Sequence, residues 1–475
     1  MSTSDIVIAG LLALCVVGII WLIASRHQRM VKTRLRAVLR GDDEVAPAVI
    51  SAGFISADLP DLHLALERFR AGCWSHELIG CNPVDATLHQ VLHGLGGIHQ
   101  VTIAAVHYVQ VEVGFRENLA CVESGLFLLR TDDGTIVARL YRALGSESSQ
   151  LDVVSRPAKL AQEFLETLRE DMRQHSVYRG KVLTVTPSPN VFDSDVKLTF
   201  SQLPRVDREQ IVLPEETMRM LERNTVSFFR HTDALRRSGR SLRRGLLLHG
   251  EPGTGKTFTA KWLAHALEDV TVFLLSAQQL AGIGECFKLA RRLQPSLMII
   301  EDVDLIAQDR ELSMATVNLH ELMNEMDGLA GDSEVMVLMT TNRPDVIEKA
   351  LASRPGRVDQ TIEFPLPDDD CRSRLIDLYC EGLELELADR QRVINKTKGA
   401  SPAFIKELVR KAALFAAERT GAINTRPAAD EAEGASAAED DAPLGLCDAD
   451  FSAALEEMLI GGGKLTRSIL GFRSS

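Results

Sequence analysis

The chain has 475 residues, 45% hydrophobic and 25% charged, which is ordinary globular composition with length for two to four domains. A formal net charge of −13 gives no overall positive field, so no nucleic acid is expected as a partner. The eight cysteines are scattered without a C-x-x-C pair, which argues against a disulfide framework or a zinc ribbon and for reduced thiols.

Residues 6–24 (IVIAGLLALCVVGIIWLIA) carry no charge. As a helix, a run of that length rises about 28 Å, the thickness of a bilayer's hydrocarbon core. Trp21 lies near one end, and Arg26, Arg29, Lys32, Arg34, Arg36 and Arg40 follow with no acid before Asp42. A cleaved leader would carry positive charge ahead of the apolar run, and residues 1–5 have no basic side chain. The pattern predicts a single-pass membrane anchor over 6–25 and a basic juxtamembrane segment over 26–43. It places the remainder on the cytoplasmic side.

Residues 44–200 read as an α/β domain of their own. The stretch Gln100–Val113 alternates in its second half as a strand does. Phe127–Arg130 and Thr135–Tyr141, joined by Thr131-Asp132-Asp133-Gly134, form a hairpin signal. An amphipathic helix is expected over 157–175, then strands at Lys181–Thr186 and Val196–Phe200. His89, His93, His99 and His107 lack matching carboxylate or cysteine spacing and read as loop or surface residues. No catalytic constellation falls in this region.

The chemistry begins at Gly250-Glu251-Pro252-Gly253-Thr254-Gly255-Lys256-Thr257, which fits G-x-x-x-x-G-K-[ST] without deviation. An apolar run of strand length (Gly245–His249) precedes it, and a helical stretch (Phe258–Leu267) follows. Glycines let successive backbone N–H groups turn inward as an anion site, and the helix N-terminus adds partial positive charge. Lys256 is expected to reach the β- and γ-phosphates of ATP, and the Thr257 hydroxyl to ligate Mg²⁺. The expected nucleotide contacts are Gly250, Pro252, Gly253, Thr254, Gly255, Lys256, Thr257 and Phe258. Three further apolar runs, at 271–275, 296–300 and 335–339, alternate with helical stretches, so an α/β fold with a parallel sheet covered on both faces is expected. The second run ends in Glu301-Asp302-Val303-Asp304. Carboxylates at such a strand end lie beside the phosphates, where Mg²⁺ and attacking water must be held.

With Asn324–Leu329 and the stretch from Thr340-Thr341-Asn342-Arg343-Pro344-Asp345 to Asp359, residues 205–470 resemble the AAA subfamily of AAA+ ATPases. The resemblance implies a P-loop AAA+ large domain over 205–368 and a helical lid over 369–475, with Gly399 and Ala400 near the nucleotide. It makes Asn342 the sensor that orients water against the γ-phosphate. Arg354 and Arg357 become fingers that reach a neighbouring subunit's nucleotide, so a homo-oligomeric ring is implied, a hexamer by default with a heptamer possible.

Three departures qualify the resemblance. The family ends its acidic strand Asp-Glu; here the order is Glu301-Asp302, so Glu301 takes the Mg²⁺ role and Asp302 the base role. Asp302 is one methylene shorter, with a reach reduced by roughly 1.5 Å. The same inverted pair occurs in the mitochondrial inner-membrane AAA translocase of folded proteins. Ser276–Glu285, where threading relatives carry an aromatic pore triplet, has no aromatic; Leu280 and Ile283 either line a pore or pack in a loop. Finally, His320-Glu321-Leu322-Met323-Asn324 lacks the second histidine of a zinc protease.

Toward the C-terminus, helices are expected at Asp370–Glu381, Pro402–Arg419 and Asp450–Leu459, with Gly382 as a stop. Acids among Ala, Gly and Ser mark 426–443 as a disordered insertion, and Lys464–Phe472 is expected as a terminal helix against a neighbouring subunit. The sequence thus predicts a membrane-anchored ring ATPase that remodels or translocates an unidentified protein client. A nucleotide-gated scaffold with little hydrolysis is the alternative from another class. A threading unfoldase is disfavoured by the missing aromatic.

Overall fold

The computed structural model describes residues 35, 48–93, 101–143, 145–187, 196–276, 282–305, 321–351, 358–421 and 444–458, and all structural statements concern these. The expected anchor at 6–25, the basic segment apart from Leu35, residues 277–281 of the pore stretch, His320, Arg354, Arg357, the acidic insertion and the 464–472 helix lie outside them. Among the described residues no helix is long and apolar enough to cross a membrane. The chain divides into two units, residues up to Gln202 with Gly284–Leu293, and Leu203–Ile283 with the rest from Gln294.

The first unit is built on an antiparallel sheet. Its strands are β1 (Ile50–Phe54), β2 (Ser75–Asn82), β3 (Thr102–Ala104), β4 (His107–Gly114), β5 (Glu117–Thr131), β6 (Gly134–Arg142) and β7 (Ser149–Arg156). The order is β1-β7-β6-β5-β2-β3, and β4 pairs with the first half of the long β5. The expected hairpin is β5–β6, with Thr131 opposite Gly134. Gly134 has φ +147, and a Cβ there would sit 2.0 Å from the Arg156 carbonyl oxygen, so only glycine fits the turn.

Alternation along β5 and β6 sends Phe127, Leu129, Ile136, Ala138 and Leu140 to one face of that sheet. There they meet helices α1 (Leu59–Ala71) and α3 (Lys159–Gln174), joined edge-to-face by Phe69 and Phe164 at 4.7 Å. Leu126, Leu128, Val137 and Val154 join a second cluster with Leu88 and Val91 of α2 (Leu88–His93) and with Leu35. Both faces are covered, which explains why these strands read as nearly continuous apolar runs. Arg139 is fully buried, yet its guanidinium donates to the carbonyl oxygens of Val84, Ala86 and Leu140 and to Ser124 Oγ. Satisfied donors make that burial tolerable. Strands β8 (Val182–Pro187) and β9 (Val196–Phe200) pair antiparallel.

Asp61, fully buried on α1, accepts from Ser176 Oγ at 2.6 Å and from the Val177 N–H at 2.9 Å. Burial pushes its carboxyl up to about 6, against the pull of those donors and of Arg292. A folded pKa above the unfolded value means that the folded state binds the proton more tightly. The associated stability, about 3 kcal/mol, is complete below pH ~4 and lost as pH rises through 6. Melting the full chain from pH 4.5 to 7.5 should therefore show Asp61→Asn with a flatter pH dependence than wild type. Parallel curves would contradict this.

The second unit opens with α4 (Glu215–Asn224), α5 (Val226–Arg230) and α6 (Thr232–Arg237). Five parallel strands follow: β10 (Arg244–His249), β11 (Thr271–Ser276), β12 (Ser296–Glu301), β13 (Val335–Thr341) and β14 (Gln360–Glu363), in the order β14-β10-β13-β12-β11. Register aligns His249 with Thr341 and Ser276 with Glu301, so their C-terminal ends meet along one edge. Helix α7 (Lys256–Ala266) leaves the β10 end, and α8 (Ile283–Arg292) connects β11 to β12. Helix α8 lies inside the expected 205–368 domain, but nearly all of it groups with the first unit, where Arg292 forms an ion pair with Asp58.

After α9 (Pro344–Leu351) and β14 comes a helical lid: α10 (Asp369–Tyr379), α11 (Arg390–Lys396), α12 (Pro402–Thr420) and α13 (Asp448–Glu456). Its core joins Leu375, Ile376, Phe404, Leu408 and Phe451. Asp368 caps α10, and Ser401 caps α12 with Pro402 in the first turn. Two short strands, β15 (Glu384–Glu386) and β16 (Gly445–Cys447), pair in parallel, an addition the sequence reading did not contain.

Candidate nucleotide site

The loop between β10 and α7 takes its shape from three glycines with positive φ: Gly250 at +150, Gly253 at +76 and Gly255 at +98. Gly250 is the tightest. A Cβ there would sit 2.3 Å from the Phe364 carbonyl oxygen, which itself follows β14. Gly250→Ala should cost about 3 kcal/mol from combined strain and clash and lower Tm by roughly 6–12 °C in a thermal melt. An unchanged Tm would show that the loop relaxes freely.

Lys256 starts α7 and is buried, with Nζ donating to the carbonyl oxygens of Gly250 and Glu251, both at 2.9 Å. Burial lowers its pKa to about 8, opposed by the negative charges of Asp302, Asp304 and Glu251. The loop therefore holds its cation rigidly at its own centre, as binding of phosphate oxygens requires.

A cavity of about 720 Å³ lies over this loop, a suitable volume for a nucleoside triphosphate. Pro252–Phe258 form one wall, and Asp302 and Asn342 reach it from the ends of β12 and β13. The far end is apolar, with the buried side chains of Val206, Ile211 and Leu213 together with Leu375 and Tyr379 of the lid. Such a lining suits a flat base, while the loop suits its phosphates. Gln210 and Arg205 border the same end.

The structure places the expected residues as follows. Pro252, Gly253, Thr254, Gly255, Lys256, Thr257 and Phe258 line the cavity, and Gly250 acts one step back through its carbonyl on Lys256. Glu301 does not line the cavity, but its carboxylate meets the Thr257 hydroxyl. Burial raises its pKa, and Lys261 and that hydroxyl oppose the rise. A carboxylate beside a hydroxyl at the phosphate end is an oxygen donor pair that fits Mg²⁺. Asn342 Nδ2 donates to Asp302 Oδ1 at 3.2 Å, which joins the expected sensor and base across two strands. Asp302 has φ +51, a left-handed turn that aspartate accepts more readily than most residues.

Gly399 and Ala400 stand just before the part of the lid that lines the cavity. Neither borders the cavity; Ala400 is buried in the lid core and Gly399 turns the chain at φ +79. Contact comes one helical turn later. Pro402, Ala403 and Lys406 line the cavity, and the Ala403 N–H donates to the Gly253 carbonyl oxygen at 3.2 Å. The Ser401 cap determines this, since it starts α12 two residues beyond Gly399 and points the first turn at the loop. Asp304, buried three residues past the end of β12, is a further polar residue at this end of the sheet. Its spacing from Asp302 is visible in the sequence, but its partners are not.

Residues 246–366 match the AAA family, described as the ATPase family associated with various cellular activities. The proteasome-activating nucleotidase of Methanosarcina mazei is 30% identical over 266 residues, 52% of this chain and 61% of the relative. ATP-dependent zinc metalloprotease FtsH 4 of Sphaerobacter thermophilus is 32% identical over 275 residues, 54% of this chain and 41% of the relative. The chain thus spans less than two thirds of the length of either relative. A crystal structure of the FIGL-1 AAA domain aligns with 22% identity and a TM-score of 0.43, covering 54% of this chain and 84% of that one. The family match is confined to the module at residues 246–366, whose loop, cavity and carboxylates fit ATP with Mg²⁺ as ligands.

Proposed function

We propose that the chain is a membrane-anchored ring ATPase that couples ATP hydrolysis to remodelling or translocation of a protein client. The observation that carries the reading is the Asp302–Asn342 pair, which borders the same cavity as Lys256 and Thr257. Lys256 holds the phosphates, Asp302 accepts the proton of the attacking water, and Asn342 orients that water. Thr257 and Glu301 would hold Mg²⁺, which would supply charge neutralisation at the phosphates.

The uncharged run at 6–24 with its basic flank supports the anchor and a cytoplasmic ATPase. Arg354 and Arg357 support a ring, because a finger supplied in trans needs a neighbour. Relatives named as a proteasome-activating nucleotidase and an ATP-dependent protease support a protein client. Steady-state phosphate release by the full chain with ATP and Mg²⁺ tests the enzyme reading. Measurable turnover is expected. Tight ATP binding without turnover would instead make the chain a nucleotide-gated scaffold.

A further inference from the structure

We infer that Asp304 is a positioning residue, one that sets the sensor Asn342 through its backbone; the inference rests on the ATPase reading above. Asp304 is 4% exposed and stands three residues past the end of β12. Its Oδ1 accepts two hydrogen bonds, from Thr341 Oγ1 at 2.8 Å and from the Asn342 N–H at 3.2 Å. Thr341 is itself fully buried, and its hydroxyl accepts from the Arg343 N–H at 3.0 Å. One carboxylate oxygen therefore pins the residue before the sensor and the sensor's own backbone.

The neighbouring contacts show what this does. The Asp302 N–H donates to Thr340 Oγ1 at 3.1 Å, and the Val303 N–H to the Thr340 carbonyl oxygen at 2.9 Å. The ends of β12 and β13 are thus stitched together by polar atoms beyond the point where the sheet ladder stops. Asn342 is held at two points: its backbone by Asp304, and its side-chain amide by Asp302. Asp302 and Asn342 both border the cavity, whereas Asp304 does not. Asp304 lies off the cavity lining, so its part is to keep the Asn342 amide at the angle from which it meets both Asp302 and the γ-phosphate. Its charge also lies close enough to Lys256 to favour that cation, which couples the sensor to the phosphate grip.

Rate depends steeply on such placement, since an error of about 1 Å at the reacting groups costs on the order of 100-fold. In the full chain, Asp304→Ala should lower kcat by about 30-fold. The Kd for ATP, measured by fluorescence in EDTA, should change less than about 3-fold. Asp304→Asn keeps an acceptor oxygen for both donors and should restore kcat to within about 5-fold of wild type. Thr341→Val deletes one of the two bonds and should fall between, which guards against a variant that fails to fold. In an Asn342→Ala background, Asp304→Ala should add little further loss.

A kcat unchanged in Asp304→Ala would overturn the inference. So would a loss that adds fully to that of Asn342→Ala, or an ATP Kd that rises as far as kcat falls. A wild-type chain that binds ATP without hydrolysing it would overturn the ATPase reading and this inference together. An active wild type with an indifferent Asp304 would overturn this inference alone.

Discussion

Lys256→Ala should weaken ATP binding by about 100-fold, near 3 kcal/mol, and abolish turnover at any practical ATP concentration. The loss has two parts. The nucleotide forfeits a charge-assisted contact with a buried lysine, where such a contact is worth more than at a surface. In addition, the Gly250 and Glu251 carbonyl oxygens lose the ammonium that bridges them, so the loop no longer holds its concave shape. Isothermal titration with ATP and Mg²⁺ measures the first part, and phosphate release the second. An affinity within a few fold of wild type would mean that the phosphates bind elsewhere.

Asp302→Asn should produce a different split, with kcat reduced by on the order of 100- to 1000-fold while ATP stays bound. The amide retains an oxygen that can accept from Asn342 Nδ2, so the local geometry should survive. What disappears is a group able to take a proton from water. One fewer negative charge beside the phosphates should leave affinity unchanged or slightly higher. Single-turnover measurements with radiolabelled ATP distinguish this from a binding defect. If Asp302→Asn hydrolyses ATP normally, the base is another group, and Glu301 is the next carboxylate to test. The trapped protein also offers a way to identify the client by crosslinking.

The short side chain of Asp302 illustrates how far local reading reaches. From the sequence, aspartate in place of glutamate means a shorter reach toward water. In the structure, the left-handed backbone at Asp302 and the amide of Asn342 decide where that carboxylate stands. The start of α12 at Pro402 is legible from the sequence, but which of its first-turn residues line the cavity is not: Pro402, Ala403 and Lys406 do. Helix α1 was legible but unread: Leu62, Leu66 and Phe69 recur at helical spacing, and Pro60 stands in its first turn.

By itself the sequence determined the phosphate loop, its flanking strand and helix, the β5–β6 hairpin and the long helices α3 and α12. Each is a contiguous pattern whose physics acts within a few residues: glycine φ freedom, periodic burial, a capping side chain. Tertiary structure alone decided which carboxylate meets Asn342, what Asp304 binds, which turn of the lid touches Gly253, and that nearly all of α8 groups with the first unit. Those contacts join residues distant along the chain. Sheet register and the packing of the lid bring them together, and no spacing within a single segment encodes either one.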